Sequence, residues 1–218
     1  PSFDPATGTI QRTTPKIPWR GFPMQRWLER ELNVKARTDT DVNGAALAEH
    51  RWGAAQGVDP FLYLTVGTGI GGGGIVNGRL LHGLLHPEMG HLHVPRPAAD
   101  AFPGVCPSHG ACLEGLACGP AMAERAKMQS EADAWDYAAG ALALGLLNLS
   151  YAFSPKLIIL GGGVMKQRGH LKAIRQKLVR HGRGYAPLPR LARPALGDRA
   201  GVLGAIALAS VVASNRKS

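Results

Sequence analysis

Phe61-Leu62-Tyr63-Leu64-Thr65-Val66 runs straight into Gly67-Thr68-Gly69-Ile70-Gly71-Gly72-Gly73-Gly74, and the residues after those glycines decide the fold. The hexapeptide is apolar and rich in β-branched and aromatic residues, so it reads as a buried strand. Its glycines satisfy G-x-G-x-x-G, the spacing of a dinucleotide-binding turn, but that motif needs a helix next. Ile75-Val76 leads instead to Asn77-Gly78 and then to Leu80-Leu81. Asn-Gly between apolar pairs marks a two-residue hairpin, because both positions tolerate positive φ. The chain therefore continues as antiparallel strands, and the Rossmann reading fails. A Walker A loop fails too, since no Gly-Lys-Ser or Gly-Lys-Thr is present. A glycine loop between strands can still cradle phosphate with its backbone N–H groups.

A second strand signal, Leu157-Ile158-Ile159-Leu160, ends in Gly161-Gly162-Gly163 and precedes a helix expected over residues 167–180. Here strand, glycine turn and helix stand in order, so a nucleotide is expected against the turn. Other helices are expected over 19–32 (Met24, Trp27, Leu28 and Leu32 on one side), 45–55, 113–128 with Gly119-Pro120 in or beside its first turns, 136–153 and 201–215. Val34 to Arg37 reads as short and extended, Asp4-Pro5-Ala6-Thr7-Gly8 as a turn, and Pro187, Pro189 and Pro194 as a loop. A turn as the first feature suggests a lost preceding strand.

Residues 86–115 carry the densest chemistry. Cys106, His109 and Cys112 are each three apart, so one tight knuckle can point all three at a single ion, with Gly110 easing the turn. His91 is the fourth ligand that Pro95, Pro97 and Pro103 allow to fold back, because they break regular structure between it and Cys106. Two thiolates and two imidazoles favour zinc, and four protein donors leave no open position, so the ion is structural. Glu88 and Glu114 are tethered to this loop and can offer acceptors to a polyhydroxylated ligand. Asp41 and Asn43, in Thr38-Asp39-Thr40-Asp41-Val42-Asn43-Gly44, lie where a strand would pass into a helix. They read equally as helix caps or, for Asp41, as a general base.

The totals narrow the classes. A chain of 218 residues with 45% hydrophobic content can bury a substantial core. Three clustered cysteines make no disulfide framework and point to a reducing, cytoplasmic setting, with Cys118 a buried thiol. Pro1 to Ile17 has no apolar core behind a basic start, so it is not a signal peptide. The uncharged stretch 137–154 is Ala-rich and broken by Gly140, Gly145 and Asn148, which makes it a buried helix rather than a membrane span. The net charge of +10 is concentrated between Lys166 and Arg199, with ten Lys or Arg against Asp198 alone. Only Tyr185 interleaves as an aromatic and no recognition motif accompanies it, so the segment reads as a solvated face that also attracts anionic nucleotides.

Taken in order, Thr40-Asp41-Val42-Asn43, Gly67-Thr68-Gly69, Glu88-Met89-Gly90-His91, Cys106-x-x-His109-x-x-Cys112-x-Glu114 and Leu160-Gly161-Gly162-Gly163-Val164 resemble the family of repressors, open-reading-frame proteins and sugar kinases known as ROK. The histidine-containing knuckle is similar to that of its bacterial fructokinase branch. The resemblance covers nearly the whole chain and implies an actin- and hexokinase-like (ribonuclease H-like) fold of two α/β lobes closing on sugar and ATP. It implies ATP-dependent phosphorylation of a hexose, fructose to fructose 6-phosphate in that branch, by a homodimer using magnesium with ATP and a structural zinc. Residue by residue, Asp41 would be the base. Asn43, Glu88, His91 and Glu114 would bind the sugar, and His91, Cys106, His109 and Cys112 the zinc. Thr68 and Gly69 would approach the phosphates, with Pro120, Gly161, Gly162 and Gly163 near the nucleoside. Residues 1–41 would be a remnant of the small lobe, 42–200 the large lobe, and 201–218 a C-terminal helix packing back towards the small lobe. The family's Asp-x-Gly-Gly-Thr phosphate loop does not occur, so the first lobe is expected to be incomplete. A fragment or natural short form is then expected, with weak or no turnover; the alternative is a non-catalytic sugar-binding or regulatory relative.

Overall fold

The computed structural model describes residues 3–11 and 18–214. A two-stranded ribbon opens the chain, β1 (Phe3–Asp4) against β2 (Thr9–Ile10). The expected turn closes it: the Asp4 carboxylate accepts from Ala6 N and Thr7 Oγ1 at 2.8 and 2.9 Å. Helix α1 spans only Met24–Leu32, against an expected start at Trp19. Gly21 has a positive φ of 74° and hydrogen-bonds Ile10, and Pro23 comes next but one, so the preceding residues extend the ribbon instead. No residue of α1 is buried, so its apolar side packs less than the periodicity implied. Val34 to Arg37 pairs into no strand.

Helix α2 (Asp41–Trp52) begins four residues earlier than expected, because Thr40 caps it by accepting from Asn43 N at 3.1 Å. Strand β3 (Phe61–Val66) pairs antiparallel with β4 (Ile70–Val76), and β4 with β5 (Arg79–Leu80). Asn77 and Gly78 both have positive φ, as the hairpin requires. The metal-loop segment comes next with a 3₁₀ turn, Met89–His91. The helix expected over 113–128 is two, α3 (Leu113–Ala117) and α4 (Gly119–Ala126). Cys118 turns to ψ 166° ahead of Pro120, whose ring suits a first turn but not an interior.

Helix α5 runs Glu131–Phe153, five residues longer at its start than expected, capped by Ser130 accepting from Asp133 N. Strand β6 (Leu157–Gly161) then passes through a 3₁₀ turn, Gly163–Lys166, before α6 (His170–Gly182). The helix expected from residue 167 thus starts at His170, after Gly169 with φ 88°. Strand β7 (Arg190–Ala192) and α7 (Ala200–Ser214) complete the chain, and the end expected at residue 215 lies outside the described residues.

The main sheet has the order β5-β4-β3-β6-β7, with β3, β6 and β7 parallel. Its side chains alternate between two cores. Phe61, Tyr63, Ile75, Leu157 and Ile159 pack against Ala45 and Ala46 of α2. Leu62, Leu64, Ile158 and Leu160 pack on the opposite face against Leu113, Leu142, Leu146, Ile174 and Leu178 from α3, α5 and α6. A mixed sheet covered by helices on both faces is the expected α/β fold. Most apolar residues of α5 are spent inside this second core, while Tyr151 is exposed. Among the described residues no helix is long and apolar enough to cross a membrane. At the α2–α7 crossing the backbones nearly touch, since a Cβ on Gly204 would lie 2.5 Å from the carbonyl carbon of Gly44.

Candidate active site and metal centre

The knuckle forms as the spacing implied. Cys106 and Gly110 exchange two backbone hydrogen bonds of 3.1 and 2.9 Å, and Gly110 takes a φ of 57°. Val105 N donates to Gly115 O and Leu113 N to Leu92 O, which returns the 92–105 excursion to the start of α3. The donor atoms of His91, Cys106, His109 and Cys112 all lie within 4.8 Å of one another. His91 Nδ1 is 3.3 Å from His109 Nδ1 and 3.6 Å from each cysteine Sγ, and Cys106 Sγ is 3.8 Å from His109 Nδ1. With Zn–N of about 2.0–2.1 Å and Zn–S of about 2.3 Å, a tetrahedral ion has donor–donor edges of roughly 3.3–3.8 Å. These spacings outline such a tetrahedron, and the donor set suits zinc. Without a cation, burial and the neighbouring Cys106 push the Cys112 thiol up to about 11; a bound zinc would hold it as thiolate. An ion held by these four protein donors would have its coordination filled, and its contribution would be to pin the loop.

That loop is seated on β4. A Cβ on Gly72 would collide with Met89, and Gly90 lies against the carbonyl of Ile70. Glu114 Oε2 accepts from Ile70 N at 2.8 Å, joining the start of α3 to the start of β4. His91 turns Nδ1 into the metal cluster, with Nε2 3.8 Å from Glu88 Oε2; Glu88 Oε1 is 3.1 Å from His86 Nε2. Glu88 is exposed, and His91 and Glu114 are half-buried.

On the other face, α2 approaches the same strand through Gly71, which faces Val42, and Gly73, which faces Asn43. The run Gly71–Gly74 is thus a packing surface rather than a phosphate cradle; side chains there would separate β4 from its neighbours. Asp41 is exposed at the first position of α2. Asn43 is 0% exposed, with Nδ2 donating to Asp39 Oδ1 at 2.7 Å, so its visible bonds hold the turn together. Burial raises the affinity of Asp39 for a proton, but His82, Asn43 and the Thr40 N–H outweigh it and hold the carboxyl below its usual range.

The remaining site residues gather at the end of β3. Gly119 N donates to Gly67 O at 2.7 Å, placing Pro120 beside the Gly67-Thr68-Gly69 turn. Gly162, at φ 91°, lies against the peptide of Val66, where any Cβ would clash. Thr68, Pro120 and Gly163 are exposed around this point. It is also the C-terminal end of the parallel pair β3/β6, where ligands of open α/β sheets bind. The N-terminus of α6 is displaced from the glycine turn by the 3₁₀ segment, so backbone of that turn, not the helix end, faces the space.

Comparison with known proteins decides the lineage. The model of the ROK family matches residues 4–211. The chain belongs to the ROK family. A putative fructokinase of Bacillus subtilis (strain 168) is 41% identical over 93% of this chain and 72% of its own length. The fructokinase of Zymomonas mobilis is 40% identical over 90% and 69%. The ROK hexokinase structure from Thermus thermophilus aligns with a TM-score of 0.83 at 34% identity, covering 98% of this chain and 77% of that one. A ROK glucokinase from Streptomyces griseus, solved with glucose and AMPPNP, aligns at 0.75 and 27%, covering 94% and 76%. The fold is therefore the ROK, hexokinase-like α/β fold, and the knuckle fits the zinc motif of this family.

Residues whose importance the sequence did not declare are Asp39, His82 and Glu49. Asp39 stands two before Asp41, which was the one available signal; His82 is a lone histidine after the hairpin. Glu49, 0% exposed, accepts from Ala54, Ala195 and Leu196 N–H groups and ties the end of α2 to the start of the last helical region. A buried acid satisfied by backbone N–H groups, two of them in a distant segment, leaves no mark in spacing.

Proposed function

We propose that this ROK protein transfers the γ-phosphoryl group of ATP to a hexose hydroxyl, with fructose giving fructose 6-phosphate as the favoured reaction. What supports the reading is that three elements touch the first residues of β4: Val42, next to Asp41, lies against Gly71, Gly90 of the Met89–His91 turn lies against Ile70, and Glu114 of α3 accepts from Ile70 N. Asp41 takes the proton from the attacking hydroxyl, being exposed and at a helix start. Glu88, Glu114 and His91 Nε2 hold the other hydroxyls, and Asn43 supports the turn beside them. Thr68 and Gly69 offer N–H groups to the phosphates, with Pro120 and Gly161 to Gly163 beside the nucleoside. Magnesium accompanies ATP and neutralises the phosphates, as such transfers require. Homology to fructokinases near 40% identity supports the substrate choice. A cytoplasmic homodimer is part of the same reading; the cysteine usage supports the compartment and the family resemblance the dimer.

The test is coupled-assay turnover with fructose, mannose and glucose on the parent chain and Asp41→Asn. Removing a general base is expected to lower kcat by about 10²–10⁴-fold while zinc content is retained. Parental turnover in the variant would remove Asp41 from the role. Calorimetric sugar binding with no turnover by the parent would favour the non-catalytic reading instead.

A further inference from the structure

Asp39 has a side chain only 1% exposed, and an enclosed carboxylate is costly unless donors surround it. Two of its donors are local: Thr40 N at 2.8 Å and Asn43 Nδ2 at 2.7 Å, both on Oδ1. The third comes from elsewhere in the chain, where His82 Nε2 lies 3.1 Å from Oδ2. Nε2 is also 3.2 Å from Asn43 Nδ2. A bare Nε2 would set its lone pair against that of Oδ2 at 3.1 Å, so the tautomer with the hydrogen on Nε2 suits this contact, and Asn43 Nδ2 is then a neighbouring donor on the same carboxylate. His82 stands two residues past β5, on the stretch leading to Glu88. Its hydrogen bond therefore links the β4–β5 hairpin to the turn that begins α2.

We propose that His82 is a positioning residue for phosphoryl transfer: by donating its Nε2–H to Asp39, it fixes the first turn of α2, and with it Asp41, relative to the hairpin and the Glu88 segment. The inference rests on the reading of Asp41 as base. Without His82, the remaining bonds of Asp39 join residues no more than four apart, which hold the turn's shape but not its place. A displacement of about 1 Å at a reacting group can cost on the order of 10²-fold in rate.

The experiment compares the parent, His82→Ala, His82→Gln and His82→Asn, measuring kcat, KM for ATP and fructose, zinc content and melting midpoint. Gln can present an N–H near the Nε2 position, whereas the shorter Asn cannot reach it. The expected result is a fall in kcat of about 10–100-fold for Ala and Asn, with KM for ATP and zinc unchanged, and recovery of most of kcat by Gln. Parental kcat in His82→Asn, or Gln as impaired as Asn, overturns the proposal even if the Ala variant does not fold. If the parent shows no turnover, the reading of an active kinase fails separately, and if Asp41→Asn retains turnover, the assignment of Asp41 does. The His82 contact is then read from imidazole ¹⁵N spectra of the parent, where a protonated Nε2 supports it and a bare Nε2 overturns it.

Discussion

The metal knuckle and the first turn of α2 deliver side chains to the same end of β4, but they are held there by different physics. The knuckle has no regular structure from 92 to 105; four donors converge on it, Val94 and Phe102 of the excursion are buried in the core, and Asp100 pairs with the buried Arg125 at 2.7 and 3.0 Å. The turn gains its position from a helix laid on glycines and from a buried carboxylate. In one, a bound ion would add a single strong constraint to the packing; the other has many weak ones. A constraint of the first kind fails all at once, and one of the second kind fails by degrees.

The sharpest way to break this contrast is to remove the ion. Structural zinc contributes about 10–16 kcal/mol in small peptides, comparable with the entire stability of a typical domain, so the loop is not expected to survive its loss. Cys112→Ser, or exhaustive chelation, should take the metal from about one ion per chain to near zero and lower turnover by at least about 100-fold. Elemental analysis with the kinase assay measures both. The core of Leu142, Leu146, Ile158 and Leu160 lies under the loop rather than within it, so circular dichroism should retain most of the helix signal. Full metal content in Cys112→Ser would show that the tetrahedron is not what holds the knuckle.

A graded loss is expected on the other side. At Gly73 an added Cβ would overlap Asn43 Oδ1, and Asn43 cannot swing away freely because its Nδ2 is held by Asp39. Gly73→Ala should cost about 1–3 kcal/mol, as overpacking does, without loss of zinc. For a chain of this size that is a fall of about 2–4 °C in melting midpoint per kcal/mol. A midpoint equal to the parent's would mean that α2 is not seated on β4 as closely as the structure has it.

These two regions also differ in how much of them could be read from residues alone. The knuckle was legible because metal ligation imposes residue type and spacing together: Cys106, His109 and Cys112 had one economical explanation, and His91 was reachable across prolines. The sheet was legible at Asn77-Gly78, where positive φ leaves few alternatives. The start of α2 was not, since Thr40, Asp41 and Asn43 are all good cap residues and it is the fold that makes Thr40 perform the capping. Helix breaks at Cys118 and Gly169 were blurred for a similar reason, because local propensity marks a break more readily than its exact residue. The glycine run shows the limit most plainly. Its letters suggested ligand contact, whereas Gly71, Gly72 and Gly73 are small because Val42, Met89 and Asn43 occupy the space above them, and packing partners this far away in sequence carry no local signature.

The mildest probe of the weakly held side is Asp39→Asn across pH. The folded carboxyl titrates below its unfolded value of about 3.9, because the donors around it outweigh its burial. Linkage sets the sign: its contribution is fully present above the unfolded pKa and is lost as pH falls through the lower folded value. Asn keeps one acceptor oxygen but no charge, so the variant should be less stable at pH 7 by on the order of 1 kcal/mol. Melting curves of parent and variant should converge as the pH drops below about 4, since protonation then removes the charge from the parent as well. A gap that stays constant down to acid pH would mean that the three hydrogen bonds do not depend on the charge of Asp39, and the start of α2 would owe its place to glycine packing alone.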